Sequence, residues 1–404
     1  MKTEKLFWKD GYLKEFEGTI LSVEPYKEDT NKFVVVLDKS AFYPEGGGQP
    51  WDEGKIGEYD VLYVYEEEET IYHVTDKPPI VGGKIYCTID WGRRFDFMQQ
   101  HLGQHILSGT FDKLFSAATV GFHLGKEYVT IDIHKTSLDF EEVQAVEKMA
   151  NEIIYKNLQV KTLFPTKEDI STIPLRKPPK VEDGIRIVAV DGFDYSPCGG
   201  VHPTFTGEVG IIKIRKWEKN KGNIRIEFVC GQRALEDFTW KNKQINEISN
   251  LLSVKDRESE EAVIRIHEEN KDLVRAFNDM KKELIAYEAK ELYATAEKLG
   301  DYSVAIQQFE GKDFKDLRFL ASLLVQYPNT IALLGTKIDK AQVVFSCSKD
   351  VPINMNQLFK EVAPLINGKG GGNATSAQGG GNDSPNLEGL LFAAKQKIKM
   401  EYIK

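Results

Sequence analysis

The sequence contains no run of eighteen consecutive apolar residues, so it predicts no transmembrane helix and no membrane partner. Its first residues lead into no apolar segment and no cleavage site, so we predict no signal peptide. Cysteine is also scarce, with four residues in 404, and the four are far apart in the chain. A disulfide framework is therefore not expected, and a cytoplasmic location is predicted.

Positive charge is in deficit, because 53 lysines and arginines stand against 62 aspartates and glutamates, for a formal net charge of −9. This balance argues against general attraction to nucleic acids, so a site for a polyanion must come from a local basic patch. The segment from Lys213 to Phe228 is one such patch, with six basic and two acidic residues, and it predicts a hairpin that turns at residues 220–223.

Two pairs of potential metal ligands occur in a chain that has only seven histidines and four cysteines. His101 and His105 are four residues apart in a segment with helical apolar spacing, so both would lie on one helix face. Cys198 and His202 have the same spacing around two glycines, where a tight turn can bring both side chains to one ion. Thiolate and imidazole ligands are typical of Zn²⁺, so the pattern predicts one Cys/His₃ zinc site per chain. The alternative for any single one of these histidines is a hydrogen-bonded core residue.

The residues alone do not decide whether the zinc ion has a catalytic or a structural role. In zinc proteases a glutamate follows the first histidine of such a pair and acts as general base, whereas here Leu102 follows it. Four protein ligands close a tetrahedral shell, as in structural zinc sites. Either one ligand is weak and water shares the metal, or the metal fixes the pocket while other groups do the chemistry.

Two glycine-rich stretches lie outside these pairs. Gly46, Gly47 and Gly48 are flanked by prolines, which predicts either backbone amides that approach a ligand closely or a wide turn in a small barrel. Residues 368–381 are half glycine and predict a loop between two helices, with Lys369 in it. Such a loop suits phosphate or nucleic-acid backbone through its main-chain amides, although it matches neither the P-loop nor the dinucleotide-binding spacing.

The changes of pattern along the chain predict an α+β fold of several domains, because 404 residues exceed one ordinary domain. Residues 233–299 contain neither glycine nor proline and have apolar residues every three or four positions, which predicts two helices that break near Ser253. Such a pair would serve as a spacer or a dimerisation element. The predicted parts are an N-terminal glycine-rich β-barrel (1–90), an α/β zinc-containing core (91–232), a long helical hairpin or coiled coil (233–300) and a C-terminal α/β domain (301–404).

Several stretches together resemble one family, the alanyl-tRNA editing proteins in their long form. Residues 42–50, 98–108, 121–125 and 198–202 match this family in order and spacing, and residues 368–381 resemble the glycine-rich part of the DHHA1 domain of alanyl-tRNA synthetase. The resemblance covers essentially the whole chain. It includes no aminoacylation domain, so no ATP binding is expected.

The resemblance implies a trans-editing deacylase that hydrolyses the ester joining a wrong amino acid, serine and also glycine, to alanine tRNA. Domain 91–232 would be the editing domain, and 301–404 a DHHA1-like tRNA-binding domain. The implied zinc ligands are His101, His105, Cys198 and His202. The implied wall of the substrate pocket is Gly46, Gly47, Gly48 and Gln49. The candidate catalytic residues are Gln104, His123 and Gln49, and the implied nucleic-acid contacts are Lys369, Gly370, Gly371 and Gly372.

Two further functions stay open. The chain could be a catalytically silent tRNA-binding or scaffold protein with structural zinc, or it could edit a different mischarged tRNA, such as threonine tRNA. No carboxylate in the motifs is an evident general base, which leaves metal-bound water or the ribose hydroxyl of the substrate. The long helices also make a homodimer an expectation.

Overall fold

The computed structural model describes residues 2–166, 168–179 and 184–402, and the chain divides into two compact units, residues 1–251 and 252–404. The class is mixed α and β with several separate sheets, as the sequence predicts. The finer division into four domains stays a prediction. In the described ranges, no helix combines the length and the apolar composition needed to cross a membrane.

The first part of unit 1 is β-rich, as predicted. Its elements are β1 (Glu4–Lys5), α1 (Leu6–Lys9), β2 (Glu15–Tyr26), β3 (Asp29–Leu37), β4 (Lys39–Ser40), β5 (Gly54–Ile56), β6 (Tyr59–Glu67), β7 (Thr70–Thr75) and β8 (Lys84–Ile89). Six strands pair antiparallel in a closed ring in the order β2-β3-β7-β6-β5-β8. Buried apolar residues such as Val35, Leu37 and Ile71 form the cluster inside this region. The chain then leaves the ring toward the predicted histidine pair.

Helix α2 (Trp91–Phe115) is the central element of unit 1. It begins at Trp91, because the Asp90 side chain accepts a hydrogen bond from the Arg93 amide at 3.1 Å and caps the helix. Every residue from Phe97 to Phe111 is buried. A helix that is buried on all sides lies in the core, so side chains on any of its faces can reach a buried site.

The rest of unit 1 surrounds α2 with two small sheets and a helix. The elements are β9 (Thr119–Leu124), β10 (Val129–Ile133), α3 (Phe140–Tyr155), β11 (Val160–Leu163), β12 (Ile187–Val190), β13 (Asp194–Pro197), β14 (Ile212–Asn220), β15 (Asn223–Cys230) and α4 (Gly231–Leu252). The sheets have the strand orders β14-β15-β10-β9 and β11-β12-β13. The predicted basic hairpin is confirmed, with positive φ at Lys221 and Gly222 in its two-residue turn.

The basic patch of this hairpin is largely neutralised by nearby carboxylates. Four of its basic residues make ion pairs: Lys213 with Glu147, Arg215 with Asp237, Lys216 with Glu218, and Arg225 with Asp132. The patch is therefore a weaker candidate for polyanion binding than its composition indicates.

Unit 2 contains a long helix and a mixed six-stranded sheet. The elements are α5 (Ser259–Ala294), β16 (Glu297–Leu299), β17 (Tyr302–Glu310), α6 (Phe314–Leu324), β18 (Thr330–Lys337), β19 (Ala341–Cys347), α7 (Met355–Val362), β20 (Gly368–Gly372), β21 (Ser376–Gly381) and α8 (Leu387–Tyr402). The strand order is β16-β17-β18-β19-β21-β20. Helices α5 and α6 pack on one face of the sheet, and α7 and α8 on the other. The predicted helix break is confirmed, since α4 ends at Leu252 and Ser253 has φ +55°.

The prediction of a loop at residues 368–381 is wrong, because this stretch forms the antiparallel hairpin β20–β21 at the edge of the sheet. Its glycines are needed for close packing. A Cβ on Gly379 would lie 2.3 Å from Cζ of Phe359, and a Cβ on Gly370 would lie 2.2 Å from the carbonyl oxygen of Gln378. The implied contact residues Lys369, Gly370, Gly371 and Gly372 therefore lie on an edge strand, where part of their amides serve strand pairing.

Candidate metal centre

The four predicted ligands lie together in unit 1. One ligand atom from each of His101, His105, Cys198 and His202 falls within 4.8 Å of the other three. The Cys198 Sγ atom is 3.4 Å from Nε2 of His101 and 3.7 Å from Nε2 of His202. The two α2 histidines are buried one turn apart, and their rings stack with centroids 5.3 Å apart. Two distant sequence pairs thus form one cluster.

The turn that carries Cys198 is held by side chains that donate to its carbonyl groups. Arg186 Nη1 donates to the carbonyl oxygens of Cys198 and Gly200, each at 2.8 Å, and Trp8 Nε1 donates to that of Gly199 at 3.1 Å. Only glycine fits at position 200, since a Cβ there would lie 2.3 Å from Cε1 of His101. The turn therefore presses directly against the α2 histidines.

Acceptors around the cluster orient two of the imidazoles. Nδ1 of His101 lies 2.8 Å from Oε1 of Gln49, and Nδ1 of His105 lies 3.4 Å from Oδ2 of Asp194. A proton on Nδ1 leaves Nε2 as the lone-pair atom, which is the usual arrangement around a metal-bound histidine. Among the described residues, Nε2 of His105 is buried without a hydrogen-bond partner. A buried lone pair that faces a thiol and two imidazoles fits a bound metal ion.

The protonation states of Cys198 and His202 also fit metal binding. Burial raises the pKa of the Cys198 thiol, but the His101 imidazole beside it lowers that pKa well below its usual range. Burial lowers the pKa of His202 to about 3, so this imidazole is neutral at pH 7. Thiolate and neutral imidazole are the forms that coordinate zinc.

Asp194 lies behind His105 and supports it, a role that the sequence analysis did not predict. Burial acts to raise its pKa, but the hydrogen bond from His105 and the charge of Arg176 lower it to about 2. Arg176 Nε donates to Oδ1 of Asp194 at 2.6 Å, and Arg176 Nη2 donates to the Ser196 hydroxyl at 2.8 Å. The ionised carboxylate is therefore fixed behind His105. Its position four residues before Cys198 is the one signal in the sequence that could have indicated it.

The Gly46–Gln49 segment forms a tight turn beside the cluster. Gly46 and Gln49 exchange main-chain hydrogen bonds of 3.1 and 3.0 Å, and Gly47 and Gly48 have φ of +61° and +86°. Gly48 is in close contact with Phe122, since a Cβ on it would lie 2.7 Å from that ring, and Phe122 stacks on His101. Within the described ranges, no group accepts a hydrogen bond from the exposed Gly47 and Gly48 amides. These two amides are free to meet a ligand.

The three candidate catalytic residues lie in different places. Gln49 is buried, and its Nε2 has no acceptor in the part of the chain that the structure describes. Gln104 is buried on α2 and donates to the Ser108 hydroxyl at 2.7 Å. His123 is exposed on β9 and lines a separate groove of 270 Å³ with Trp217. Because neighbouring strand residues face opposite sides of a sheet, and Phe122 faces the cluster, the structure does not bring His123 to it.

A larger cleft of 1650 Å³ lies beside the segment that carries His202. His202 and Arg186 line it, together with Trp8 and the start of the chain. Of the four donor residues, His202 alone lines this cleft, and His101 and His105 are buried.

Comparison with known proteins decides the family. The chain is 32% identical over 410 residues to the "Alanyl-tRNA editing protein AlaX-L" of Pyrococcus horikoshii, and the match covers 98% of each chain. The chain belongs to the alanyl-tRNA editing proteins. The resemblance that the motifs predict is thereby confirmed. Two family models also match, the DHHA1 domain at residues 301–400 and the threonyl and alanyl tRNA synthetase second additional domain at residues 185–227, which include Cys198 and His202.

Alanine–tRNA ligases are similar to this editing-family chain over part of their length. The ligase of Pyrococcus abyssi is 31% identical over 94% of the chain, and that of Natronomonas pharaonis is 32% identical over 98%. The chain spans 42% and 44% of these two ligases, less than half of each. A solved C-Ala domain of Aquifex aeolicus alanyl-tRNA synthetase matches 26% of the chain at 28% identity with a TM-score of 0.25.

Proposed function

We propose that this protein is a trans-editing hydrolase that releases serine or glycine from mischarged alanine tRNA by hydrolysing the aminoacyl ester. The observation that supports it most is the four-donor cluster beside the free amides of the Gly47–Gly48 turn. The family and the printed role of the Pyrococcus relative, an alanyl-tRNA editing protein, agree with this proposal.

The need for such an enzyme follows from the limits of binding selectivity. A synthetase pocket for alanine cannot exclude the smaller glycine by size, and it rejects serine poorly because an added hydroxyl is weakly excluded. A second pocket that hydrogen-bonds the serine hydroxyl discriminates by about 10⁴ or more, because alanine leaves its polar group unpaired. Buried Gln49 Nε2, which has no acceptor among the described residues, is our candidate donor to the substrate.

Separate groups of residues would bind the metal, stabilise the negative oxygen and position the ligands. His101, His105, Cys198 and His202 would hold the zinc ion, which when bound supplies a Lewis acid next to the ester. The Gly47 and Gly48 amides would donate to the oxygen that becomes negative as the ester carbonyl is attacked. Asp194 holds the His105 ring in position. The ribose hydroxyl of the substrate remains our candidate to assist the attacking water.

A deacylation assay with several mischarged tRNAs tests the proposal. The purified protein, with about one zinc per chain, is expected to release serine fastest from alanine tRNA and to spare correctly charged alanine tRNA. Glycine-charged alanine tRNA, which lacks the hydroxyl, measures how much of the rate depends on that contact. Serine-charged threonine tRNA is the control for another editing specificity, and its preferential hydrolysis would favour that alternative. A protein with its full zinc content that leaves all of these esters intact would be a silent tRNA-binding protein instead.

A homodimer is part of the proposal, and a stripe on α5 supports it. Eight positions alternate at spacings of three and four residues along the helix, and seven of them are large apolar side chains that are 43–70% exposed. A polar residue at a single core position is typical of coiled coils and sets their register, and Asn270 is that residue here. A specific interface buries about 800 Å² per partner, and seven such side chains supply an area of that order. The positions are Val263, Ile266, Asn270, Leu273, Phe277, Met280, Leu284 and Tyr287.

Phe277→Glu is expected to weaken this dimer by roughly 100-fold or more, because each copy loses an aromatic anchor and places a charge in the interface. Asn278→Glu is the matched control, since it adds the same charge to the next residue of α5, outside the stripe. Sedimentation or light scattering over a range of protein concentrations measures the change. A monomeric wild-type protein, or equal dimerisation of both variants, would refute the self-association.

A further inference from the structure

Arg186 precedes β12 and is a buried cation without a carboxylate partner. The residue is 8% exposed, and in the part of the chain that the structure describes no aspartate or glutamate makes an ion pair with it. Burial lowers the pKa of Arg186, and the thiolate of Cys198 acts to raise it. By contrast, the buried guanidinium of Arg94 pairs with Asp52. Burying a cation without a carboxylate costs stability, and such positions are typical of functional sites.

The β12–β13 ladder places Arg186 directly opposite Cys198. At the end of this ladder the Cys198 amide donates to the carbonyl oxygen of Arg186 at 3.0 Å. The Arg186 side chain then reaches the turn that follows. Its Nη1 donates to the carbonyl oxygens of Cys198 and Gly200, each at 2.8 Å, and its Nη2 donates to the Thr162 hydroxyl at 3.2 Å. One guanidinium therefore holds two peptide groups of the turn.

The bond to Gly200 decides where the following amide points. In a trans peptide the C=O and the N–H point in opposite directions. Because Arg186 holds the Gly200 carbonyl, the Val201 N–H points away from Arg186 and donates to Oε1 of Gln49 at 3.3 Å. The same Oε1 lies 2.8 Å from Nδ1 of His101. A continuous series of hydrogen bonds thus joins Arg186 to a donor of the cluster.

This series also orients the side-chain amide of Gln49. Its oxygen lies between the Val201 amide and the His101 ring, so its nitrogen occupies the other branch of the same planar group. That Nε2 is buried and has no acceptor among the described residues. The contacts that hold the ring of one metal ligand therefore also leave an amide donor free to bind the substrate.

We infer that Arg186 is a positioning residue of the metal centre, which orients His101 for the metal and Gln49 for the substrate. The role toward the metal rests on the four-donor cluster, and the role toward the substrate rests on the proposed function. A guanidinium has donors only, so Arg186 cannot itself coordinate a metal ion. Without it, the Gly200 carbonyl loses its donor, the peptide group that follows is free to rotate, and Oε1 of Gln49 loses one of the two groups that hold it.

The test is the zinc affinity of the full chain, measured by competition with a chelator. Arg186→Met removes the donors and keeps much of the length, and it is expected to lower the affinity about 10- to 100-fold, as the loss of a group that orients a metal ligand does. Arg186→Lys keeps a cationic donor and is expected to lose clearly less. The matched control is Arg225→Met, the same substitution at a partly exposed arginine of β15 that pairs with Asp132, and it should leave the affinity unchanged.

Cobalt in place of zinc gives a second readout, which a purely structural role would not change. The visible bands of Co²⁺ report the geometry of its ligands, so Arg186→Met is expected to weaken them even at saturating metal, whereas Arg225→Met should keep them. Arg186→Gln, which is neutral and too short to reach both carbonyl groups, should give the same loss. It replaces Arg186→Met if that variant does not fold.

Three results would overturn the inference whatever the protein hydrolyses. The first is wild-type zinc affinity and an unchanged cobalt spectrum in Arg186→Met. The second is tighter zinc binding by that variant, because removal of a nearby cation would then act through charge alone. The third is equal weakening in Arg186→Lys, which would show that the packing of the side chain matters rather than its donors.

The assay with mischarged tRNA separates this inference from the proposed function. If zinc affinity and cobalt bands change as expected while neither wild type nor variant hydrolyses any ester, the role of Arg186 at the metal stands and the editing proposal fails. If both hold, Arg186→Met at saturating zinc is expected to lose more rate on the serine ester than on the glycine ester, because the Gln49 donor is displaced. Equal losses on the two esters would overturn the role of Arg186 toward the substrate.

Discussion

Replacing His105 by alanine is expected to remove the metal and the deacylase activity together. His105 contributes a buried Nε2 that, among the described residues, has no hydrogen-bond partner, and the other three donors of the cluster lie within 4.8 Å of it. Three remaining ligands hold zinc far more weakly, and the site also loses the ring that Asp194 positions. Metal analysis and deacylation of serine-charged alanine tRNA, measured on the same preparation, check the result.

The control is His267→Ala, which removes an exposed histidine from α5. It should leave the zinc content and the rate unchanged. Asp194→Asn is a milder variant that keeps the ligands and the shape, and it is expected to lower zinc affinity about 10- to 100-fold. Activity that survives complete loss of the metal in His105→Ala would mean that the cluster is not the reactive centre.

Replacing Arg94 by methionine is expected to lower the free energy of unfolding by about 3–5 kcal/mol, because it leaves the buried carboxylate of Asp52 without its cation. Both side chains are fully buried and form an ion pair. Arg94 also donates to the carbonyl oxygen of Gly11 at 2.9 Å, while Asp52 accepts from the Tyr43 amide at 2.6 Å. The pair therefore ties α2 to the segment that enters the Gly46–Gln49 turn. Urea unfolding, followed by a probe in unit 1, measures the loss.

Lys84→Met is the comparison, since Lys84 makes an ion pair with Glu17 in which both side chains are mostly exposed. Solvent screens such an exposed pair, so it contributes little to stability. A loss of stability in Arg94→Met no larger than in Lys84→Met would show that the buried pair is not a main support of unit 1.

The metal-binding part of the site was predictable, because few residue types can bind zinc. His101, His105, Cys198 and His202 are rare residues at ligand spacing, and the structure brings them to one cluster. Their supports were not predictable, because Asp52 and Arg94 are 42 residues apart, and His105 and Asp194 are 89 apart. Only the tertiary fold shows that such charges are buried side by side.

Tertiary contacts also explain one wrong prediction and the position of one candidate residue. The glycine hairpin at 368–381 was expected to be a loop because glycine generally weakens strands, whereas contact with Phe359 makes glycine the residue that fits. His123 does not lie at the donor cluster, because strand alternation turns its side chain away from the face that Phe122 occupies. The intrinsic preference of a residue for strand or loop does not include its tertiary contacts. At both positions the neighbouring side chains decide the conformation.

The burial of α2 on all sides has a consequence for motion. Amide protons of residues 97–111 should exchange with solvent only when unit 1 opens globally, so two of the four donors sit on the slowest-exchanging segment of this unit. The amide protons of the Gly47–Gly48 turn should exchange fast. The turn is exposed, and its amides have no acceptor among the described residues. If the proposed substrate binds here, we expect any local adjustment in the turn rather than in α2.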